Sequence, residues 1–335
     1  MTDAEKNSET VRRDDSGFQH GGEAPARVLP AVGPWKGLSM ALGVVAILTT
    51  AFGAWALLRP NPSQPVSRQV LSTEGWAGLE GPPFGEYTAI APDGSSIVLP
   101  ADGQLALKIR GSTEITPIPG TEGGRNVTYS PDGQWLAYVV GTNLFKRPLV
   151  GGSPVRLAAD AQGLPANAPP DAAPARVGLA WLDDGTILYD GGASLSQIPE
   201  DGGEAPEVFQ GPSTWVYGLP NAHGALVTTP GLALYVLDLR DQTSELILEE
   251  VVRAWYAATG HIVYVRADGA FLAVPFDLET LTITGSAIPL FDGVRTTRQR
   301  ADMQLAADGT LLYVEERLVL ATNFFEELRQ VVSEN

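Results

Sequence analysis

The chain has 335 residues, a formal net charge of −17 and no cysteine, which excludes disulfides, thiolate nucleophiles and cysteine-bound metals. The negative charge is concentrated towards the carboxyl terminus, because residues 60–335 contain 16 Lys and Arg against 33 Asp and Glu. So acidic a surface argues against nucleic acid as a partner, and the three histidines are too scattered to predict a metal centre or any other cofactor.

Residues 1–36 are polar and poor in aliphatic side chains, which predicts a disordered amino-terminal tail. The following 22 residues, Gly37–Leu58, carry no charge and are long enough to cross about 30 Å of hydrocarbon as a helix. Trp35, Lys36 and Arg59 lie where interfacial anchors belong. We therefore predict one transmembrane helix over residues 37–58. A cleaved signal peptide is the alternative, since Ala54–Ala56 resembles a cleavage site.

Residues 59–68 form a Pro-rich linker that is predicted to be stiff and extended. Equal numbers of positive charges flank the apolar stretch, with Arg27 and Lys36 before it and Arg59 and Arg68 after it. These charges therefore do not predict its orientation in the membrane. Next, Arg68–Ser72 alternates weakly between polar and apolar residues. We predict that it is a strand that closes a ring by joining the last repeat.

A repeat is clearest in Asn126–Asp160, which predicts four short strands at Val127–Ser130, Trp135–Val140, Leu144–Val150 and Val155–Ala158. The Asp-Gly and Gly-Gly pairs between these strands are typical of tight turns. The first turn and the strand after it recur along the chain at Ile90–Leu99, Tyr129–Val139, Trp181–Tyr189, Asn221–Val227, Tyr256–Val265 and Leu305–Val314. The third residue after the turn glycine is apolar in every copy: Ile97, Leu136, Leu188, Val227, Val263 and Leu312.

Six copies of a unit of roughly 40 residues predict an all-β fold, a six-bladed β-propeller with four-stranded antiparallel blades, over residues 69–335. A Pro- and Ala-rich insertion, Ala161–Ala175, is predicted to be a flexible loop between the second and third copies. At the end of the chain, the apolar spacing in Asn323–Val332 predicts either a short helix on the edge of the ring or an extension of its final strand.

Catalytic motifs are missing from the sequence. The nearest approach to a G-x-S-x-G motif, Gly151–Pro154, lies in a hairpin turn, and no phosphate loop or kinase motif occurs. The turn pair Asp183-Asp184 suggests calcium, but aspartate in such turns more commonly bonds its own backbone. Asn126–Thr128 matches a glycosylation acceptor but lies in a predicted strand. We therefore expect no enzyme and no catalytic, cofactor-binding or metal-binding residues.

Two groups of residues are candidates for ligand binding. Trp135, Trp181 and Trp255 could form an aromatic platform, although their place in strands favours core packing. In a propeller, the loops that join second to third strands gather, with the loops between blades, around one mouth of the central channel, and such loops commonly carry recognition. The predicted binding residues at this mouth are Asp102, Asn143, Asp190, Arg266 and Asp268.

With S-P-D-G-x-W-L-A-Y at Ser130–Tyr138 and its weaker copies, the chain resembles the TolB-like propellers of bacteria, which are related to WD repeats. The single span, Pro119–Gly123, Val150–Val155 and Asn323–Leu328 make it similar to the carboxyl half of bacterial transmembrane serine/threonine protein kinases. That resemblance implies an inner-membrane protein with its amino terminus in the cytoplasm and its propeller outside. The kinase domain is missing from the residues before the span, so no catalytic residue is carried over.

Together these features lead us to expect a membrane-anchored, non-catalytic, extracytoplasmic module that senses a ligand or binds a protein. A structural scaffold in an envelope complex is one alternative. The other is a propeller hydrolase or lyase with a metal site at the channel mouth. His223 and His261 argue against it, because both are predicted at first turns on the opposite face of the ring.

Overall fold

A computed structural model of the protein describes residues 49–50, 65–70, 87–159, 161, 178–297, 300–315 and 318–334. The chain divides into two units, Met1–Pro62 and Ser63–Asn335. The predicted tail and transmembrane helix lie outside the described residues, apart from Thr49 and Thr50, which are helical. Within the ranges given above, no helix has both the length and the apolar character needed to span a membrane.

The second unit is a six-bladed propeller, as the repeats predict, and each of the first three blades is a four-stranded antiparallel sheet in sequence order. Strand β1 (Ser67–Val70) precedes blade 1 in the chain but pairs with the last blade, as described below. The strands of blade 1 are β2 (Ala89–Ile90), β3 (Ser96–Ala101), β4 (Gln104–Ile109) and β5 (Ile115–Pro117). The strands of blade 2 are β6 (Gly124–Tyr129), β7 (Trp135–Val140), β8 (Asn143–Pro148) and β9 (Val155–Ala158). Those of blade 3 are β10 (Leu179–Trp181), β11 (Thr186–Asp190), β12 (Ser194–Pro199) and β13 (Glu207–Gln210).

Blade 4 keeps this four-stranded arrangement, whereas blades 5 and 6 depart from it. Blade 4 is regular, with β14 (Trp215–Gly218), β15 (Gly224–Thr228), β16 (Leu234–Asp238) and β17 (Thr243–Leu248). In blade 5, two short strands share the fourth position; it contains β18 (Val251–Ala257), β19 (His261–Arg266), β20 (Phe271–Asp277), β21 (Thr282–Ile283) and β22 (Ile288–Phe291). A hairpin of β23 (Thr296–Thr297) and β24 (Arg300–Ala301) leads into blade 6, which contains β25 (Met303–Leu305), β26 (Leu311–Val314) and β27 (Leu318–Thr322).

The core of the ring lies between the blades, where second strands pack against their neighbours. Every member of the apolar column predicted from the turn glycines is buried: Ile97, Leu136, Leu188, Val227, Val263 and Leu312. Burying large aliphatic side chains of this kind contributes about 1.5–3 kcal/mol each. The column therefore fixes both the register of each blade and its contact with the next one.

The ring is closed by a strand from the amino-terminal side of blade 1. Strand β1 pairs antiparallel with β27, from Ser67 opposite Thr322 to Val70 opposite Val319, and so supplies the fourth strand of blade 6. The guanidinium of Arg68 also donates to the Glu327 carboxylate at 2.7 Å. The predicted closing strand is thus confirmed, with bounds Ser67–Val70 in place of Arg68–Ser72.

A single helix, α1 (Phe324–Glu334), follows the last strand, which decides between the two alternatives for the end of the chain. Asn323 separates strand from helix with a φ of 60°. The side chains of Phe324, Phe325 and Leu328 are buried in the core between blades 5 and 6. The helix is therefore part of the packed domain.

Candidate functional site

The predicted mouth residues all lie at the connections between second and third strands, in four different blades. Asp102 is exposed in the turn of blade 1, Asn143 is half-buried at the start of β8, and Asp190 is buried at the end of β11. Arg266 and Asp268 flank the turn of blade 5, where the guanidinium of Arg266 lies 3.2 Å from the carboxylate of Asp268. Among the contacts that the structure describes for these five residues, the one between Arg266 and Asp268 is the only one that joins two of them.

The side chain of Asp190 is buried and stabilises the fold instead of lying on an open surface. One carboxylate oxygen accepts hydrogen bonds from the backbone N–H and the hydroxyl of Ser213, both at 2.7 Å, and the other accepts from the N–H of Gly192. Ser213 begins the connection into blade 4, so the carboxylate ties two blades together. Burial raises the pKa of Asp190 above its ordinary value, although the bonds from Ser213 and Gly192 act in the opposite direction.

A cavity of about 220 Å³ lies on the axis of the ring, at the end where first strands turn into second strands. First strands of all six blades contribute to its wall, and they continue into the first turns at Pro92, Pro131 and Asp183. Its aromatic lining consists of Tyr129, Trp181, Trp215, Tyr217 and Trp255. This axial cavity is at the opposite end of the ring from the predicted mouth.

Several contacts fix the positions of the aromatic rings. Trp215 meets Trp255 edge-on, with 5.8 Å between ring centroids, and its indole N–H donates to the carbonyl of Ala254 at 3.0 Å. The buried guanidinium of Arg253 lies over the Trp215 ring, 4.1 Å from its centroid. On the neighbouring blade, the indole N–H of Trp181 donates to Glu200 at 3.1 Å. The lining is therefore largely preformed.

Tyr217 has a half-buried ring, and the pKa of its hydroxyl is strongly raised. Its O–H donates to the carbonyl of Tyr256 at 3.4 Å, which directs the hydroxyl towards blade 5. Burial raises its pKa to about 12, and the nearby negative charge of Asp183 acts in the same direction. The phenol thus stays neutral at physiological pH beside a carboxylate at the open end of the axial cavity.

The polar side chains of the lining have structural partners. Ser130 donates its hydroxyl to Asp132 and accepts from the backbone N–H of Trp135 at 2.9 Å. Gln304 donates from its amide to the carbonyl of Thr88 at 2.6 Å. Asp183 accepts from the backbone N–H of Asn221 at 3.1 Å, which leaves its other carboxylate oxygen for further contacts.

Five exposed aspartates surround the open end of the axial cavity on the first turns, and we call them the acidic rim: Asp93, Asp132, Asp183, Asp184 and Asp308. Four of them bond the backbone N–H two residues further on, at Ser95, Gln134, Thr186 and Thr310, as aspartate in such turns is expected to do. The hydrogen bond from Ser130 holds the pKa of Asp132 below its ordinary value. These bonds favour the ionised carboxylates.

Sequence reasoning named part of this site and missed the rest. Trp181 and Trp255 are buried, as core packing predicts, and both also line the axial cavity, whereas Trp135 lies on a second strand beneath the ammonium of Lys146. Trp215 and Tyr217 went unnoticed because a 3-10 turn at Pro220–Ala222 lengthens the first turn of blade 4. Counting back from its glycine therefore lands on the turn and not on the strand.

Histidine and carboxylate side chains are the groups of this chain that could bind a metal. In the portion of the chain that the structure describes, no three His, Asp or Glu side chains come together as a metal site would require. His261 is buried, and its Nδ1 lies 3.0 Å from the carbonyl of Thr259 in its own turn. Among the described residues that line the axial cavity, Asp183 supplies the only carboxylate.

No protein-family model matches the chain, and a search of curated proteins finds no relative by sequence. Solved structures are similar in fold. A presumed TolB from Agrobacterium tumefaciens has a TM-score of 0.53 at 14% identity, covering 78% of this chain and 98% of its own. A Bacteroides thetaiotaomicron protein of unknown function has a TM-score of 0.52 at 11% identity, covering 77% and 76%. The likeness shows the propeller fold.

Proposed function

We propose that this chain is a membrane-anchored, extracytoplasmic interaction module that takes a protein segment or a small ligand into the axial end of its propeller and performs no chemistry. The observation that carries the proposal is the axial cavity, an open site of about 220 Å³ with five aromatic side chains in its wall. Preformed cavities with aromatic walls and a few polar groups are typical of ligand-binding sites.

The polar groups support a binding role rather than a catalytic one. Ser130 gives its hydroxyl to Asp132, and the amide of Gln304 is held by Thr88, so both side chains of the wall stabilise the turn or strand that carries them. A nucleophile needs a base placed to take its proton. The Asp132 oxygen that accepts from the Ser130 hydroxyl also accepts from the Gln134 N–H, and Ser130 accepts from the Trp135 N–H, so this pair is engaged in stabilising its own turn.

Membrane anchoring is proposed from the sequence. The uncharged stretch Gly37–Leu58 has the length of a span, and the resemblance to the propeller half of bacterial transmembrane kinases supplies the orientation. The described strand β1 begins at Ser67, only eight residues after Arg59.

The absence of cysteine from the sequence allows one labelling experiment to test both the location and the site. Single variants Gln134→Cys, on the first turn of blade 2, and Leu246→Cys, on the outer strand of blade 4, place exposed thiols at the axial end and at the perimeter. We expect a membrane-impermeant maleimide to label both thiols in spheroplasts. We also expect slower labelling at Gln134→Cys, which accelerates after purification removes the occupant.

The outcomes separate the alternatives. Labelling that requires lysis of the inner membrane would place the propeller in the cytoplasm and contradict the proposed location. Equal rates at Gln134→Cys before and after purification would show that the axial end carries no occupant in the cell. Protection confined to Leu246→Cys would indicate a scaffold that is held by its perimeter.

A further inference from the structure

Two independent features of the propeller meet at the same end of its axis. The wall of the axial cavity is aromatic, and the acidic rim surrounds the opening of that cavity. The six first turns, all within the described part of the chain, contain five aspartates and no lysine or arginine. Aromatic faces alone suit many ligands, but aromatic faces beneath a ring of carboxylates favour a positive charge.

The charge distribution along the axis has a direction. At the far end of the first strands, charges of both signs occur: Arg125 is exposed at the start of β6 and Arg253 is buried near the start of β18, while Asp302 is buried just before β25. The first turns carry carboxylates without lysine or arginine, so a cation that approaches the ring is attracted to the end bearing the acidic rim. At that end, Asp183 lines the axial cavity together with the rings of Trp181 and Tyr217.

The wall already contains one contact of the proposed kind. The guanidinium of Arg253 lies 4.1 Å from the centroid of the Trp215 ring, a distance at which cation and ring attract each other. The size of the cavity also limits the ligand. A volume of about 220 Å³ lies below the roughly 300–1,000 Å³ of pockets that hold drug-sized ligands, which suits one long side chain or a small ammonium compound.

We propose that the axial cavity binds an organic cation, an ammonium or guanidinium group of side-chain size, between its aromatic rings and the carboxylate of Asp183. This inference rests on the proposed function, because it assumes that the occupant enters at the axial end. It goes further in naming the chemistry of that occupant. A basic side chain of a partner protein and a free small cation are the two sources of this chemistry.

The test uses the purified full-length chain in detergent micelles and ligand-observed NMR titrations at fixed ionic strength. Tetramethylammonium is compared with tert-butanol, a neutral molecule of similar shape, to isolate the effect of charge. N-acetyl-lysine amide and N-acetyl-arginine amide are compared with N-acetyl-norleucine amide to represent a partner's side chain. We expect each cation to bind at least five-fold more tightly than its neutral counterpart.

Matched variants locate the binding. Asp183→Asn removes the carboxylate that lines the cavity and should lower cation affinity by about three- to five-fold. Asp184→Asn makes the same charge change one residue away, on a side chain that bonds Thr186 and does not line the cavity, and should have a smaller effect. Tyr217→Leu should lower affinity about three-fold or more, whereas Tyr217→Phe keeps the ring and should retain binding.

Stronger binding by the amino-acid amides would identify a partner's basic side chain, and stronger binding by tetramethylammonium would identify a small free cation. Equal affinity for cations and neutral counterparts would overturn the proposal, as would equal losses in Asp183→Asn and Asp184→Asn. Neither result would depend on the labelling experiment, because protection of Gln134→Cys reports occupancy in the cell whatever the charge of the occupant. The two proposals can therefore fail separately.

Discussion

Asp190 illustrates how a polar residue in a surface turn can belong to the core. Its position after a strand suggested a binding residue, yet its side chain is 1% exposed and holds Ser213 and Gly192. Only the tertiary structure brings Ser213 close to Asp190, because the two residues are 23 positions apart, with strands β12 and β13 between them. A buried carboxylate with three donors around it stabilises the junction between blades 3 and 4.

Asp190→Asn tests this role. An amide offers one oxygen in place of two, so at least one backbone N–H or the Ser213 hydroxyl loses its acceptor, and we expect a loss of about 1–3 kcal/mol in the free energy of unfolding. Urea denaturation measures it. The control is Asp102→Asn, at an exposed residue in the corresponding turn of blade 1, which should change the free energy by no more than about 0.5 kcal/mol.

The same variant has an expected pH dependence. Because the pKa of Asp190 is raised in the folded state, its contribution to stability is fully present below the unfolded value of 3.8 and is lost as the pH rises through the folded value. The deficit of Asp190→Asn relative to the natural chain should therefore be largest in acid and shrink as the pH increases. A deficit that grows with pH would contradict the raised pKa.

At the scale of elements, the packing of α1 onto the first turn of blade 6 joins the carboxyl terminus to the ring. The backbone N–H of Phe324 donates to the carbonyl of Gly309 at 3.1 Å, and the Phe325 ring covers that glycine. Gly309 has a φ of +85°, and a Cβ placed there would lie 2.8 Å from the ring of Phe325. Both the backbone conformation and the packing therefore require glycine.

Gly309→Ala should consequently destabilise the protein in two ways. The positive φ costs about 1–2 kcal/mol for alanine, and the forced contact with Phe325 adds an overpacking cost, so we expect a total of about 2–4 kcal/mol. Thermal unfolding measures the loss. Gly103→Ala has a similar φ of +78° with no neighbour within 4 Å, and should show the conformational cost alone. Equal losses in both variants would exclude a contribution from the helix contact.

The elements themselves were largely predictable, because turn chemistry is local. The glycine and aspartate of Asp132-Gly133 specify the turn between β6 and β7 whatever surrounds it, and β7 was predicted with the bounds that the structure has. The division of the fourth position in blade 5 between β21 and β22 was not predicted. It depends on which segments pair with β20, and the local sequence does not specify that pairing.

At the scale of the whole molecule, closure depends on main-chain pairing. All four side chains of β1 are exposed, so its contribution comes mostly from backbone hydrogen bonds to β27 and from the Arg68–Glu327 pair. At about 1 kcal/mol for each net hydrogen bond, deletion of residues 1–70 should cost about 2–4 kcal/mol relative to deletion of residues 1–62. It should also leave β27 as an unpaired edge that promotes self-association.

Chemical denaturation and size-exclusion chromatography of the two truncated chains measure these effects. The chain that begins at Ser63 keeps β1 and serves as the control, because both chains lack the apolar stretch. Identical unfolding midpoints and identical elution would show that the ring is held closed without β1.

The candidate site was less predictable than the fold for a reason that belongs to this scale. Trp215 and Tyr217 lie on the first strand of blade 4, where the turn at Pro220–Ala222 shifts the spacing of the repeat, so the repeat pattern does not place them at the axis. Likewise, the sequence shows that Asp93, Asp132 and Asp308 occupy equivalent turns, but their combined charge becomes meaningful only once the axial cavity is seen to open among them. The repeat pattern predicts each single blade, whereas the site is formed by all six blades together.

Closure of the ring by β1 also sets an order of events during synthesis. The residues that it joins, Arg68 and Glu327, are separated by 259 positions, so the ribosome makes β1 almost a full propeller before its partner strand. Until β27 has been made, that segment lacks its partner in the finished sheet. Completion of the ring therefore waits for β27, and any chain that stops short of that strand leaves the ring open.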